Sequence, residues 1–231
     1  MHALSEIQRV VVWALPILFA ITVHEVAHGW VAKRLGDPTA MMLGRLTLNP
    51  IKHIDPIGTV LVPLITVITG GFIFGWAKPV PITYQNLRHP KRDMIYVAIA
   101  GPVSNLIMAI LWAAVLKLAV VLSANQSLYW FFQPLLYIGT AGVLINIFLM
   151  ALNLLPIPPL DGGRVVTGLL PGPLAYKFSQ IEPFGLIIMI VLFFTHILGA
   201  ILLPVVNLFI TLIGNAFDVL PILQYFLARI F

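Results

Sequence analysis

Cysteine is absent from this 231-residue chain, which excludes disulfides, thiolate metal sites and cysteine nucleophiles and leaves the redox compartment unmarked. Charge is scarce too, at 9% of residues, where soluble globular chains carry about a quarter. No Gly/Ser linker, low-complexity tract or internal repeat interrupts residues 1–231, so they read as one domain without a soluble appendage. What fills the chain instead is apolar: 60% of residues are hydrophobic, and the mean hydropathy is +1.03. A water-soluble globule is excluded. Lys117 and Asp161 bracket 43 uncharged residues, and Glu182 and Asp218 bracket 35, against the roughly 20 that cross a bilayer as helix. An all-α, multi-pass membrane protein is predicted. Its net charge of +5 follows from the basic residues that orient membrane chains and gives no reason to invoke nucleic acid.

Apolar stretches predict spans near 10–31, 94–116, 129–152 and 184–203, with a further one at 205–228 after a break at Pro204. Residues 58–75 are just long enough to span but contain Pro63, Gly70 and Gly71. Basic residues decide their path. Lys33, Arg34, Arg45 and Lys52 precede the segment and Lys78, Arg88, Lys91 and Arg92 follow it, so a full crossing would leave one basic cluster outside. Residues 57–72 are therefore expected to form a re-entrant element that is covered by protein and returns to the cytoplasmic side, making five to six membrane segments in all. On this path the N-terminus lies outside the cell membrane and the first span runs inward. Eleven of the 13 basic residues, all but Arg9 and Lys117, then face the cytoplasm. A cleaved signal peptide over residues 1–28 is the competing reading, since Arg9 precedes an apolar run of 14 residues.

HEVAH, residues 24–28, puts two imidazoles four residues apart on one helix face, within reach of a single metal ion, with Glu25 beside them. Zinc held by three protein ligands keeps a position for water, lowers that water's pKa to about 7 and lets a neighbouring carboxylate take the proton. Two histidines and a glutamate near the end of an apolar span are costly unless they bind something. Among the remaining acidic and imidazole side chains, Asp161 stands out as a third ligand. It ends the long uncharged stretch in NLLPIPPLDGG, residues 153–163, where three prolines forbid regular helix and paired glycines allow a tight turn. The predicted topology brings the end of the third span and the HEVAH end of the first to the same cytoplasmic level. A solvated loop aspartate is the alternative.

HEVAH, GRLTLNPIKHIDPIGT at 44–59, AGPVSNL at 100–106 and NLLPIPPLDGG at 153–163 resemble, in order, the motifs of the site-2 proteases, intramembrane zinc metalloproteases that cleave membrane-bound precursors. The resemblance covers most of residues 20–165 within a family-like core of about 10–165; the C-terminal helices over 184–231 rest on hydropathy alone. It implies one zinc per chain, bound by His24, His28 and Asp161, with Glu25 as general base and a transmembrane protein as substrate. Members often carry a PDZ or CBS domain; this chain has neither and looks like a compact member.

Asn105 and Asn153 are candidate amide donors for the scissile carbonyl or the strand around it. Interhelical hydrogen bonding, the reading preferred for Asn146, is their alternative. Residues 40–48, AMMLGRLTL, predict a short strand or hairpin, which would serve as an edge for an unwound substrate segment to join or as a cap over the helix end. His53 and Asp55 read as solvated loop residues ahead of partners to a zinc ligand. His196 reads as a buried histidine. Asn207, Thr211, Asn215 and Asp218 form a polar stripe, packed in the bundle by default, a substrate gate or self-association face otherwise. Two other classes compete with a protease. A membrane metal-ion transporter needs no Glu25 between the histidines, and the inverted repeat frequent in transporters is missing. A non-catalytic relative that clamps membrane helices is disfavoured by the intact ligands and base.

Overall fold

The computed structural model describes residues 6–61, 78–125 and 129–230. Among them, Val11–Arg34, Pro90–Ser123, Tyr129–Asn153, Gly172–Phe194 and Ile197–Ala216 are five stretches long and apolar enough to cross a bilayer. The helices that position the site are α1 (Glu6–Arg34), α2 (Pro90–Ser123), α3 (Tyr129–Asn153) and α4 (Asp161–Leu169). Four more follow: α5 (Gly172–Ser179), α6 (Gly185–Phe194), α7 (Ile197–Ala216) and α8 (Leu220–Ile230).

At the centre α2 and α3 form an antiparallel hairpin. Against it pack α1 on both helices, α4 on α2, and α7 on α3, while α8 folds back along α7 and α3. In lipid, helices gain little from hydrophobic burial, so close backbone approach through small residues does much of the work. Ala109 and Ala113 of α2 are fully buried. A methyl group on Gly139 would stand 3.1 Å from the Leu116 backbone, and one on Gly142 would stand 2.3 Å from the Trp112 ring. Leu116, Val143 and Ile147 continue this core to Leu202, Val206 and Ile210 of α7. The outer faces carry exposed Ile107, Leu111, Leu118, Phe131 and Phe194, the surface a bilayer requires. Helices α1 and α3 run toward one end of the bundle and α2 runs away from it, so HEVAH, the first turns of α2 and residues 154–163 share that end. At the opposite end Lys117 Nζ donates to Asp218 Oδ2 across 3.0 Å.

Several expectations need correction. No β-strand forms among the described residues: where a strand or hairpin is expected over 40–48, Thr39–Met42 make one helical turn and Gly44, at φ 62°, reverses the chain. Backbone hydrogen bonds from Leu43 to Thr39 and from Arg45 to Ala40 close this turn locally, so no edge is left to pair. Of the re-entrant element expected over 57–72, only the helical turn Pro56–Leu61 falls within the described residues. Pro204 does not break the chain but lies inside α7; in an apolar bundle a proline's missing N–H is tolerated by its neighbours. The break falls at Thr195–His196, where the Thr195 hydroxyl donates to the Val191 carbonyl and exposed His196 adopts φ 60°, a left-handed conformation that histidine accepts more readily than most residues. His196 is therefore not a core histidine. Asn207, Thr211 and Asn215 face outward rather than into the bundle.

Gly142 and Gly199 both sit inside membrane helices, but a methyl group at Gly199 would meet nothing within 4 Å. Gly142→Ala should lower stability by about 1–3 kcal/mol through overpacking against Trp112, whereas Gly199→Ala should hold or raise it by up to about 1 kcal/mol through helix propensity. Unfolding midpoints of the two variants in detergent check this; equal shifts would contradict the tight α2–α3 contact.

Candidate metal centre

Helical spacing brings His24 and His28 to the buried face of α1, and Asp161 opens α4 to meet them; the three are 7%, 4% and 5% exposed. Asp161 Oδ2 lies 3.1 Å from His24 Nε2 and 3.2 Å from His28 Nε2, and the two Nε2 atoms are 3.0 Å apart. Residues 154–160 carry the chain from α3 to this point, with a cis bond at Pro158–Pro159. Gly162 and Gly163 are helical, so their role is to leave space rather than to permit a turn. A methyl on Gly162 would stand 2.3 Å from the Leu154 and Leu155 carbonyl oxygens, and one on Gly163 would stand 2.5 Å from the Pro158 nitrogen.

Hydrogen-bond partners settle which atoms face the centre. His28 Nδ1 lies 2.7 Å from the Val97 carbonyl oxygen, which can only accept, so Nδ1 carries the hydrogen and Nε2 presents a lone pair. His24 Nδ1 lies 2.6 Å from Asn105 Oδ1, and Asn105 Nδ2 donates to Asn146 Oδ1 at 2.9 Å and to the Ala20 carbonyl at 3.3 Å. That pattern assigns the amide oxygen to His24 and leaves its Nε2 unprotonated as well. Asp161 Oδ2 is buried without a hydrogen-bond donor. Three ligand atoms thus converge within 4.8 Å of one another, an arrangement suited to a cation. Zinc fits: ligand atoms about 2.0–2.1 Å from a tetrahedral ion stand about 3.3 Å from one another, close to the separations here.

Room for that centre comes from Gly101 on α2. A methyl there would stand 2.4 Å from His28 Nε2 and 2.6 Å from His24 Nε2. Glu25, half-buried and one residue past His24, accepts a hydrogen bond at Oε2 from the Val80 N–H, 2.7 Å away. Val80 is seated by contact: a methyl on Gly29 of α1 would stand 2.9 Å from its Cγ1. The extended segment around Val80 is tied down at both ends. Lys78 N–H donates to the His53 carbonyl and Arg45 donates to the Lys78 carbonyl. Asp37 accepts from the Thr83 N–H at 2.7 Å, from Asn86 Nδ2 at 3.0 Å, and from the Thr39 N–H and hydroxyl.

The structure brings His24, His28 and Asp161 together, with Glu25 next to His24 on α1, and Asn105 joins them through His24. Both amide hydrogens of Asn105 are committed to Asn146 and Ala20, so it has none left for a substrate carbonyl. Asn153 donates to the Leu149 carbonyl of its own helix at 3.0 Å. His53 is buried rather than solvated, with Nε2 2.9 Å from the Thr47 carbonyl, and Asp55 Oδ1 accepts from the Gly58 N–H. Gly101 was visible only as part of AGPVSNL, and Val80, which acts through its backbone, left no trace in side-chain patterns.

Gly101→Ala should abolish metal retention while the helices persist, because its methyl occupies the space of the two ligating nitrogens. Elemental analysis alongside circular dichroism of the purified protein checks this; wild-type metal content in the variant would contradict the geometry.

Comparison with known proteins follows the same lines. The profile of Peptidase family M50 matches residues 12–137 and 119–198. The provisionally named zinc metalloprotease YwhC of Bacillus subtilis (strain 168) is 39% identical over 193 residues, 84% of each chain. The provisionally named zinc metalloprotease Rip2 of Mycolicibacterium smegmatis is 27% identical over 182 residues, 79% of this chain and 66% of that one. No solved structure gives a significant match. With its profile spanning most of the residues and an intact HEVAH–Asp161 constellation, the chain belongs to Peptidase family M50, the site-2 protease family whose motifs it carries.

Proposed function

We propose that this zinc metalloprotease hydrolyses a peptide bond within or beside a transmembrane segment of another protein, using one zinc ion per chain held by His24, His28 and Asp161. The observation that carries the reading is the convergence of three ligand atoms beside Glu25, enclosed among helices long enough to span a bilayer. Zinc bound there would supply a Lewis acid that acidifies water and polarises a carbonyl. Asn105 and the Val97 carbonyl hold the two imidazoles in one tautomer and orientation. Glu25 takes a proton from the attacking water and returns it to the leaving nitrogen, while the Val80 N–H holds one of its oxygens. Residues 78–83, which lie outside the helices, run past Glu25 and offer backbone for an unwound substrate to lie along. Asn153, bonded within its own helix, has no part in this reading.

The same reading sets the chain in the cell membrane with its N-terminus outside and the metal end toward the cytoplasm, since Lys33, Arg34, Arg45, Lys78, Arg88, Lys91 and Arg92 all belong to the metal end. A cysteine at exposed Gln85 of this cysteine-free chain tests it. Labelling by an impermeant maleimide should require permeabilised cells; labelling of intact cells would invert the orientation.

Glu25→Gln tests the chemistry. Zinc should remain bound, because the ligands are untouched, while cleavage falls by about 10²–10⁴-fold. The assay is co-expression with a panel of tagged single-span membrane proteins, with the zinc content of the purified variant measured in parallel. Undiminished cleavage by the variant would end the general-base role, and zinc flux into vesicles that responds to the substitution would favour a transporter instead.

A further inference from the structure

Beside the metal centre lies a cavity of about 180 Å³, lined by Tyr84, Met94, Pro158, Pro159, Arg164 and Glu182 among others. Pockets for whole small molecules run to about 300–1,000 Å³, so this one suits a single side chain. Arg164 lines the cavity. It follows Asp161 by three residues on α4, about 60° around the helix at about 100° per residue, and Gly163 and Thr167, farther round the same helix, line the cavity with it.

The guanidinium offers five N–H donors, yet it makes no hydrogen bond or ion pair among the described residues. It is half-buried. Burial disfavours its charge, but Tyr84, Asp161, Glu182 and Glu25 around it outweigh burial and hold it above the usual arginine range. None of the three carboxylates pairs with it. Asp161 Oδ2 is turned to the histidines, Glu25 Oε2 is taken by the Val80 N–H, and Glu182 is exposed, where water screens it. Burial also raises Tyr84, so its phenol keeps its hydrogen and is a second donor on the cavity wall. A cation without an acceptor, a phenol and apolar proline walls together make a receptacle for one carboxylate.

We infer that this cavity is a specificity pocket in which Arg164 and Tyr84 take an aspartate or glutamate side chain of the substrate, within a residue or two of the scissile bond. The assignment rests on the endopeptidase reading. Side chains along an extended strand are spaced about 3.3 Å apart, so a carbonyl held at the metal brings a near neighbour's side chain to Arg164.

The test uses the full-length, zinc-loaded Glu25→Gln protein in detergent micelles and dye-labelled peptides of one apolar span. A single glutamate is walked along one half of the span, each peptide matched by its glutamine counterpart, and binding is read by fluorescence anisotropy. At one or two adjacent positions the glutamate peptide should bind about tenfold or more tightly. Adding Arg164→Gln should erase that ratio, while zinc content and circular dichroism equal to those of the parent show that the variant folds. Arg164→Lys, which keeps the charge without the fork, should retain part of the preference. Equal binding of glutamate and glutamine peptides at every position, or a preference that survives Arg164→Gln, overturns the pocket. Failure of the endopeptidase reading looks different: the glutamate preference and its dependence on Arg164 persist, but Glu25-intact protein cuts none of the peptides.

Discussion

Mutual repulsion among the lone pairs of His24 Nε2, His28 Nε2 and Asp161 Oδ2 is the constraint around which this bundle is built. The Nδ1 atoms are engaged by Asn105 and the Val97 carbonyl on the far side of each ring, which turns both Nε2 atoms inward. Three acceptors cannot stay together in an apolar interior unless a cation joins them. The neighbouring features supply the means. Gly101 gives the rings room, the crowded Gly162–Gly163 pair brings the carboxylate in, and Asn146 extends the polar chain through Asn105 into α3.

A second, quieter constraint is the shortage of hydrophobic driving force between helices in lipid. The glycines answer it by closeness rather than by conformational freedom. Gly139 and Gly142 let α3 ride against Leu116 and Trp112, while Gly29 lets Val80 settle onto α1. Val80 in turn positions Glu25. Helix packing and the placing of Glu25 thus both depend on absent methyl groups, at different glycines.

How much of this could be read beforehand depends on the kind of interaction. His24, Glu25, His28 and Asp161 were legible because charge is so rare here that each polar group in an apolar stretch demands a reason. The multi-pass helical architecture was legible for the same cause. Residues 40–48 misled because Thr47 and the nearby glycine and prolines resemble strand boundaries, whereas local hydrogen bonds close a helical turn instead. Pro204 misled because helix-breaking rules come from water, where a freed carbonyl has other partners. Asn105 was recognised as polar and placed, but which of its atoms would be free depends on three partners distant in sequence. A backbone donor such as the Val80 N–H has no side-chain signature at all.

Asp161 follows His28 by more than a hundred residues, yet the two sit within a single coordination sphere. A cation there acts as a clasp across most of the bundle, closing a loop that contains α2 and α3 entirely. Such closure restricts the unfolded chain far more than a local contact does, so a bound ion would add to the stability of a bundle whose helices form without it. Loss of the ion would release the α3–α4 join from α1, and the cell's zinc supply would then govern how long the protein lasts as well as how fast it cuts.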